Sequence, residues 1–101
     1  MIIYNVTVNV DNDVAEQWLQ WMMEAHIPDV LNTGMFESYS ILRLVGDENS
    51  GGITYAIQYR AQNMDMYERY KEEFAPALQA DALQKFSGKF VAFRTLLEVV
   101  K

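Results

Sequence analysis

Two stretches of two-residue alternation, residues 2–10 and 53–60, each give way to apolar residues at three- and four-residue spacing, and no other feature limits the fold as sharply. Period two sends successive side chains to opposite faces of a strand, whereas the longer spacing lines them along one stripe of a helix. In the first stretch Tyr4, Val6, Val8 and Val10 point one way, and Ile3, Asn5, Thr7 and Asn9 the other. In the second, Ile53, Tyr55, Ile57 and Tyr59 alternate with Thr54, Ala56, Gln58 and Arg60. Each strand therefore has one apolar and one polar side.

Asp11, Asn12 and Asp13 interrupt the first alternation, and Asp13 with Glu16 three residues on has the pattern of a capping box opening a helix. Val14, Trp18, Trp21, Met22 and Ala25 form its apolar stripe, widened by Leu19 and Met23. The helix is predicted to stop near His26, because the residue before Pro28 is pushed out of helical geometry. Asp29 to Leu31 add at most a short turn before Asn32, Thr33 and Gly34.

Residues 36–45 read as a strand of open parity, with Tyr39, Ile41 and Val45 competing against Leu42 and Leu44 for the buried side unless a bulge reconciles them. Residues 46–52 are a polar, glycine-containing hairpin connection. Asn63 then caps a second helix whose stripe is Met66, Tyr67, Tyr70 and Phe74, and Pro76 ends or kinks it. The helical pattern resumes through Leu78, Ala82 and Phe86 and closes at Ser87 and Gly88. Residues 90–100 form the last strand, with Val91, Phe93, Leu97 and Val99 expected under the helices and Ala92, Arg94 and Glu98 on the other side.

Strand, helix, strand, strand, helix, strand is the order of two split βαβ units. It predicts an α+β, ferredoxin-like βαββαβ domain spanning residues 1–101, an antiparallel four-stranded sheet with two helices on one face. The other face is then open and carries Asn5, Thr7, Asn9, Thr54, Gln58, Arg94 and Glu98 together with Ile3, Phe90 and Leu96. A face that mixes apolar and polar groups suits a subunit interface, so a homodimer through this face is expected.

Fourteen acidic against eight basic side chains give a net charge of −6, which repels both a nucleic-acid backbone and an anionic membrane surface. The absence of cysteine rules out disulfides, thiolate metal sites and cysteine nucleophiles. Residues 1–5 show neither a basic start nor a long apolar run, so no secretory signal or membrane span is expected and a cytoplasmic location is. No metal site or cofactor is expected either.

Given this element order, Ala25, His26, Ile27 and Pro28 followed by Thr33, Gly34, Met35 and Phe36 resemble the helix-to-strand junction of the dimeric α+β barrel superfamily. That superfamily pairs two ferredoxin-like sheets face to face and includes cofactor-free quinol monooxygenases, lactone isomerases and haem-degrading enzymes. The segments 3–7, 67–70, 74–76 and 90–99 resemble more closely a small bacterial family known as a domain of unknown function. The monooxygenase likeness implies asparagine, tryptophan, tyrosine and arginine side chains around a phenolic substrate, for which Asn5, Trp18, Trp21, Tyr67 and Arg94 are the matching types. The haem-degrading likeness implies a histidine on the second helix. This chain has one histidine, His26, on the first helix, so that correspondence fails.

Each candidate has a plainer reading beside it. His26 flanks the buried stripe, where an imidazole can shuttle protons near neutral pH; a histidine in a last helical turn more simply bonds an unsatisfied carbonyl. Trp18 and Trp21 with Met22 and Met23 suit an adaptable aromatic pocket or a well-filled core. Tyr55, Tyr59, Tyr67 and Tyr70 suit ligand hydroxyl contacts or, more simply, packing anchors. Arg94 and Gln58, if covered by a partner subunit, need a carboxylate or a ligand anion to offset burial. Asp47 and Glu48 lack a metal-binding spacing and read as a solvated hairpin tip. The expected function is a homodimeric module that binds a small molecule or a partner through Asn5, Thr7, Gln58, Arg94, Trp18, Trp21 and Tyr67. The alternative is a cofactor-free monooxygenase or isomerase acting on a small aromatic or cyclic substrate, with His26 the one weak catalytic candidate.

Overall fold

The computed structural model describes residues 1–46 and 51–101. The chain runs β1 (Ile2–Asp11), α1 (Ala15–Trp21), a π-helical segment (Met22–His26), α2 (Ile27–Asn32), β2 (Ser38–Arg43), β3 (Gly52–Ala61), α3 (Met64–Glu73), α4 (Ala75–Lys85) and β4 (Phe90–Glu98). The four strands form one antiparallel sheet in the order β2-β3-β1-β4. With two helical runs against one face, this is the ferredoxin-like α+β fold. Of the polar connection over residues 46–52, residues 47–50, with Asp47 and Glu48, lie outside the described residues. Among the described residues no helix is long and apolar enough to cross a membrane.

The core lies between the helices and the inner sides of the two central strands. Tyr4, Val8 and Val10 of β1 and Tyr55, Ile57 and Tyr59 of β3 are buried against Trp18, Met22, Ile27, Val30, Tyr70 and Phe86. Cross-strand register explains the coherence, since Tyr4 pairs with Tyr59 and Val10 with Ile53, so both alternations present their apolar side to the same layer. Asn63 caps α3 as expected, its Oδ1 accepting from the Met66 backbone N–H at 3.0 Å. Gly34, at φ 79°, ends α2 in the left-handed region, and its N–H donates to the Leu31 carbonyl at 3.1 Å.

Four expectations are corrected. The capping box does not form: Val14 stands at the N-cap, and Asp13 Oδ2 instead accepts from Lys89 Nζ at 2.8 Å. The first helix does not stop at His26, because His26 and Ile27 both keep helical dihedrals and the run continues through Pro28 to Asn32. In β2 no bulge is needed. The strand pairs without interruption from Ser38 opposite Arg60 to Arg43 opposite Tyr55, placing Tyr39 and Ile41 on the helix side and Leu42 on the open side.

The fourth correction matters most. In β4, Phe90 pairs with Val10, Ala92 with Val8, Arg94 with Val6 and Leu96 with Tyr4, so these residues and Glu98 lie on the helix side. Val91, Phe93 and Leu97 are on the open face, where Val91 is 71% and Phe93 63% exposed, and Val99 lies just beyond the strand. The expected parity is inverted. The open face is consequently more apolar than the sequence suggested, and Arg94 lies on the helix side of the sheet, where it stays partly open to solvent.

Candidate functional site

The π-helical segment determines where His26 points. The Ile27 backbone N–H donates to the Met22 carbonyl, five residues back, so this turn is wider than an α-turn and holds one extra residue. Met22 and Ile27 at its two ends are both buried, which fixes the turn against the core. His26, the last residue of the segment, lies between them in sequence phase. Its ring is 5.1 Å from that of Trp21, which meets Phe86 edge-on at 5.5 Å, so the imidazole is braced on one side. Burial is the main influence on its titration and lowers its pKa from 6.5; Asp29 and Asp81 push it up and Arg94 pushes it down. His26 is therefore neutral at physiological pH.

His26 lines a cavity of about 210 Å³ between the first helical run, α4, β1 and β4. Its walls are mostly apolar, formed by Val6, Val8, Trp18, Met22, Leu83 and Phe90, and its polar groups are His26, Gln79 and Arg94. An inner lobe of about 40 Å³ adjoins it and is bounded also by Tyr4, Tyr59 and Tyr70. Arg94 reaches this junction because its place opposite Val6 on β4 sets it diagonally from Tyr4. Its Nε donates to the Tyr4 hydroxyl at 3.0 Å. Burial raises the pKa of Tyr4, Tyr59 and Tyr70, so all three remain protonated at physiological pH. The result is an apolar chamber with one end rich in hydrogen-bond donors.

The sheet divides the residues singled out from the sequence. Trp18, His26 and Arg94 line the cavity. Trp21 stands behind His26, and Tyr67 lies outside both lobes with its ring 5.2 Å from that of Tyr4. Asn5, Thr7 and Gln58 are on the opposite face. There Asn5 Nδ2 donates to Thr7 Oγ1 at 3.1 Å and Thr95 Oγ1 at 3.2 Å, while its Oδ1 is buried without a partner among the described residues. Gln58 is the cross-strand neighbour of Asn5.

Tyr4 and Gln79 were missed as site residues, and Tyr59 and Tyr70 were read mainly as packing anchors. The tyrosines occupy buried parities and so read as core. Gln79 left a usable signal: it shares with Ala82, Leu83 and Phe86 the spacing of one helix face, making it a polar residue inside an apolar stripe.

With the geometry established, residues 1–100 match the model of a family described as "Domain of unknown function (DUF4286)". The chain belongs to the DUF4286 family. No protein with a curated description matches this DUF4286 sequence. Its fold is shared with solved structures of low sequence identity. A dimeric ferredoxin-like protein from an uncultured marine organism aligns with a TM-score of 0.70 at 16% identity, covering 100% of this chain and 96% of the other. SnoaB, a cofactor-independent oxygenase from Streptomyces nogalater, aligns at 0.68 and 12% identity over 99% of this chain and 94% of that one. A mutant of MhuD with two manganese protoporphyrin IX bound per active site aligns at 0.71 and 18% identity, covering 100% and 96%. A tetrapyrrole does not fit the DUF4286 cavity. At about 210 Å³ it is smaller than the roughly 300 Å³ at which drug-sized sites begin, and α3 and α4 carry no histidine to hold an iron.

Proposed function

We propose that this DUF4286 protein binds a small molecule in the cavity between its helices and sheet, and that it works as a homodimer joined through the open sheet face. The observation that carries the binding reading is the cavity itself, apolar along its walls and polar at one end, the usual composition of a small-molecule site. A ligand that prefers the folded state raises its melting temperature. The expected result of a thermal-shift screen is at least one small metabolite that stabilises the wild type and fails to stabilise Ala82→Phe, in which the added ring fills the chamber. If no compound acts and Ala82→Phe simply raises the melting temperature, the chamber is a packing defect and the reading is lost.

The dimer reading is supported by Val91, Phe93 and Leu97 on the open side of β4 and by Leu42 and Leu44 at the opposite edge, all exposed in the protomer. Exposed apolar residues at both edges of one sheet face, with polar ones between, suit an interface. Light scattering at micromolar concentration is expected to return the mass of two chains. A monodisperse species of one chain would overturn it.

A second reading, cofactor-free oxygenation or isomerisation of a small aromatic or cyclic molecule, is favoured by one observation. His26 faces the cavity as a neutral imidazole, the form that accepts a proton from a bound substrate. SnoaB, which shares the fold, is described as a cofactor-independent oxygenase. Dioxygen uptake with a panel of single-ring phenols, present in the wild type and lost in His26→Asn, is the expected outcome; uptake unchanged in His26→Asn would remove His26 from the chemistry.

A further inference from the structure

The two lobes of the cavity differ in chemistry, and the difference selects a ligand. An apolar void of about 150 Å³ holds benzene, so the outer chamber of about 210 Å³ accommodates one ring or a short branched chain. The inner lobe, about 40 Å³, exceeds the roughly 10–15 Å³ that a water needs. It takes one small polar group and little more. Val6, Met22, His26, Gln79 and Arg94 border both lobes, so the two lie side by side.

The charge of that inner end is positive. Arg94 is the only cation lining either lobe among the described residues, and no carboxylate lines them. Asp29 from α2 and Asp81 from α4 act on His26 from outside the linings. Tyr4, Tyr59 and Tyr70 stay neutral, as does His26. Arg94 makes no ion pair among the described residues, and its Nε is committed to Tyr4. That bond fixes the guanidinium plane and leaves the terminal nitrogens as a fork, the geometry that grips a carboxylate through two parallel hydrogen bonds.

We propose that the molecule bound here is a small carboxylic acid. Its carboxylate is held by Arg94 at the inner end and its apolar body, no larger than one ring, lies against Trp18, Met22, Phe90 and Leu83. The proposal rests on the cavity-binding reading and narrows it. An amide or alcohol head would make only neutral-group hydrogen bonds to the guanidinium where a carboxylate adds its charge, an amine would face a like charge, and a phosphate ester carries a bulkier head than the inner lobe admits. Long-range attraction contributes nothing to this choice, since the chain carries a net charge of −6. The selection is made by local contacts.

Three probes of one shape test it: benzoate, benzamide and benzylamine, titrated at pH 7.5 with tryptophan fluorescence as readout, since Trp18 borders the chamber. A hydrogen bond to a charged group is worth enough to make benzoate bind about ten-fold tighter than benzamide, with benzylamine weakest. Arg94→Gln should bring benzoate down to the level of benzamide and leave benzamide unchanged, while Arg94→Lys, which keeps the charge but not the fork, should restore part of the difference. Benzamide binding as tightly as benzoate to the wild type overturns the carboxylate and leaves the cavity reading standing. A benzoate preference that survives Arg94→Gln overturns the role of Arg94. Failure of all three probes to bind overturns the proposal and counts against the cavity reading as well.

Discussion

The backbone N–H of Ile27 donates to the carbonyl of Met22, and this bond lets the first helical run pass straight through a proline. The wide turn closes one residue before Pro28, which occupies the first turn of α2, the place where a ring without an N–H costs least. Pro28→Ala should therefore change stability by less than about 1 kcal/mol, against the roughly 3 kcal/mol that removing a proline from an ordinary helix interior would return. Urea unfolding of the two proteins measures this. A gain near the larger value would show that Pro28 strains the run.

Continuation of the run past His26 also places Ile27 in the core at 1% exposure. Ile27→Ala is expected to cost about 2–5 kcal/mol, the range for truncating a buried isoleucine. Met23→Ala, four residues earlier on the exposed side of the same run, should stay within roughly 0.5 kcal/mol. Equal effects in denaturant titrations would contradict the orientation of the π-helical segment.

The lowered pKa of His26 makes stability depend on pH in a definite direction. The unfolded chain takes up its proton near 6.5, the ordinary value, while the folded chain, in which burial disfavours the cation, takes it up only at lower pH. Between those two values the unfolded state binds more protons, so stability falls as pH drops from 6.5 and the contribution of this group is fully present above it. His26→Gln should remove that part of the slope. Unfolding free energies of both proteins at pH 7.5, 6.5 and 5.5, differing by the same amount throughout, would show that His26 titrates alike in both states.

Phe93 is exposed in the protomer, so an acidic side chain there leaves folding intact and burdens only an interface. Phe93→Asp is expected to keep its circular dichroism spectrum and to lose the dimer mass in light scattering, because a buried unpaired carboxylate is costly on both copies of a symmetric face. A dimer that persists in Phe93→Asp would place the subunit contact elsewhere.

The central strands were legible because each has one side clearly more apolar than the other, and the pairing of Tyr4 with Tyr59 keeps those sides together. β4 was misread because both of its sides are apolar. Phe90, Ala92 and Leu96 face the helix side, and Val91, Phe93 and Leu97 face the open side. Choosing the richer side as the buried one assumes that the other side is polar, and in β4 it is not. The error moved Arg94 away from His26, so the sequence showed the site's components without their meeting. At Pro28 a local backbone preference lost to burial of Ile27 and Val30, a tertiary effect that no short window of sequence contains.

The inverted strand β4 ties the colloidal behaviour of the molecule to its concentration. A freshly made protomer presents Val91 and Phe93 to water on a strand at the sheet's edge, the combination that invites pairing with any other unfinished strand. In the proposed dimer these side chains are covered, so the share of chains that still show an open edge falls as concentration brings partners together.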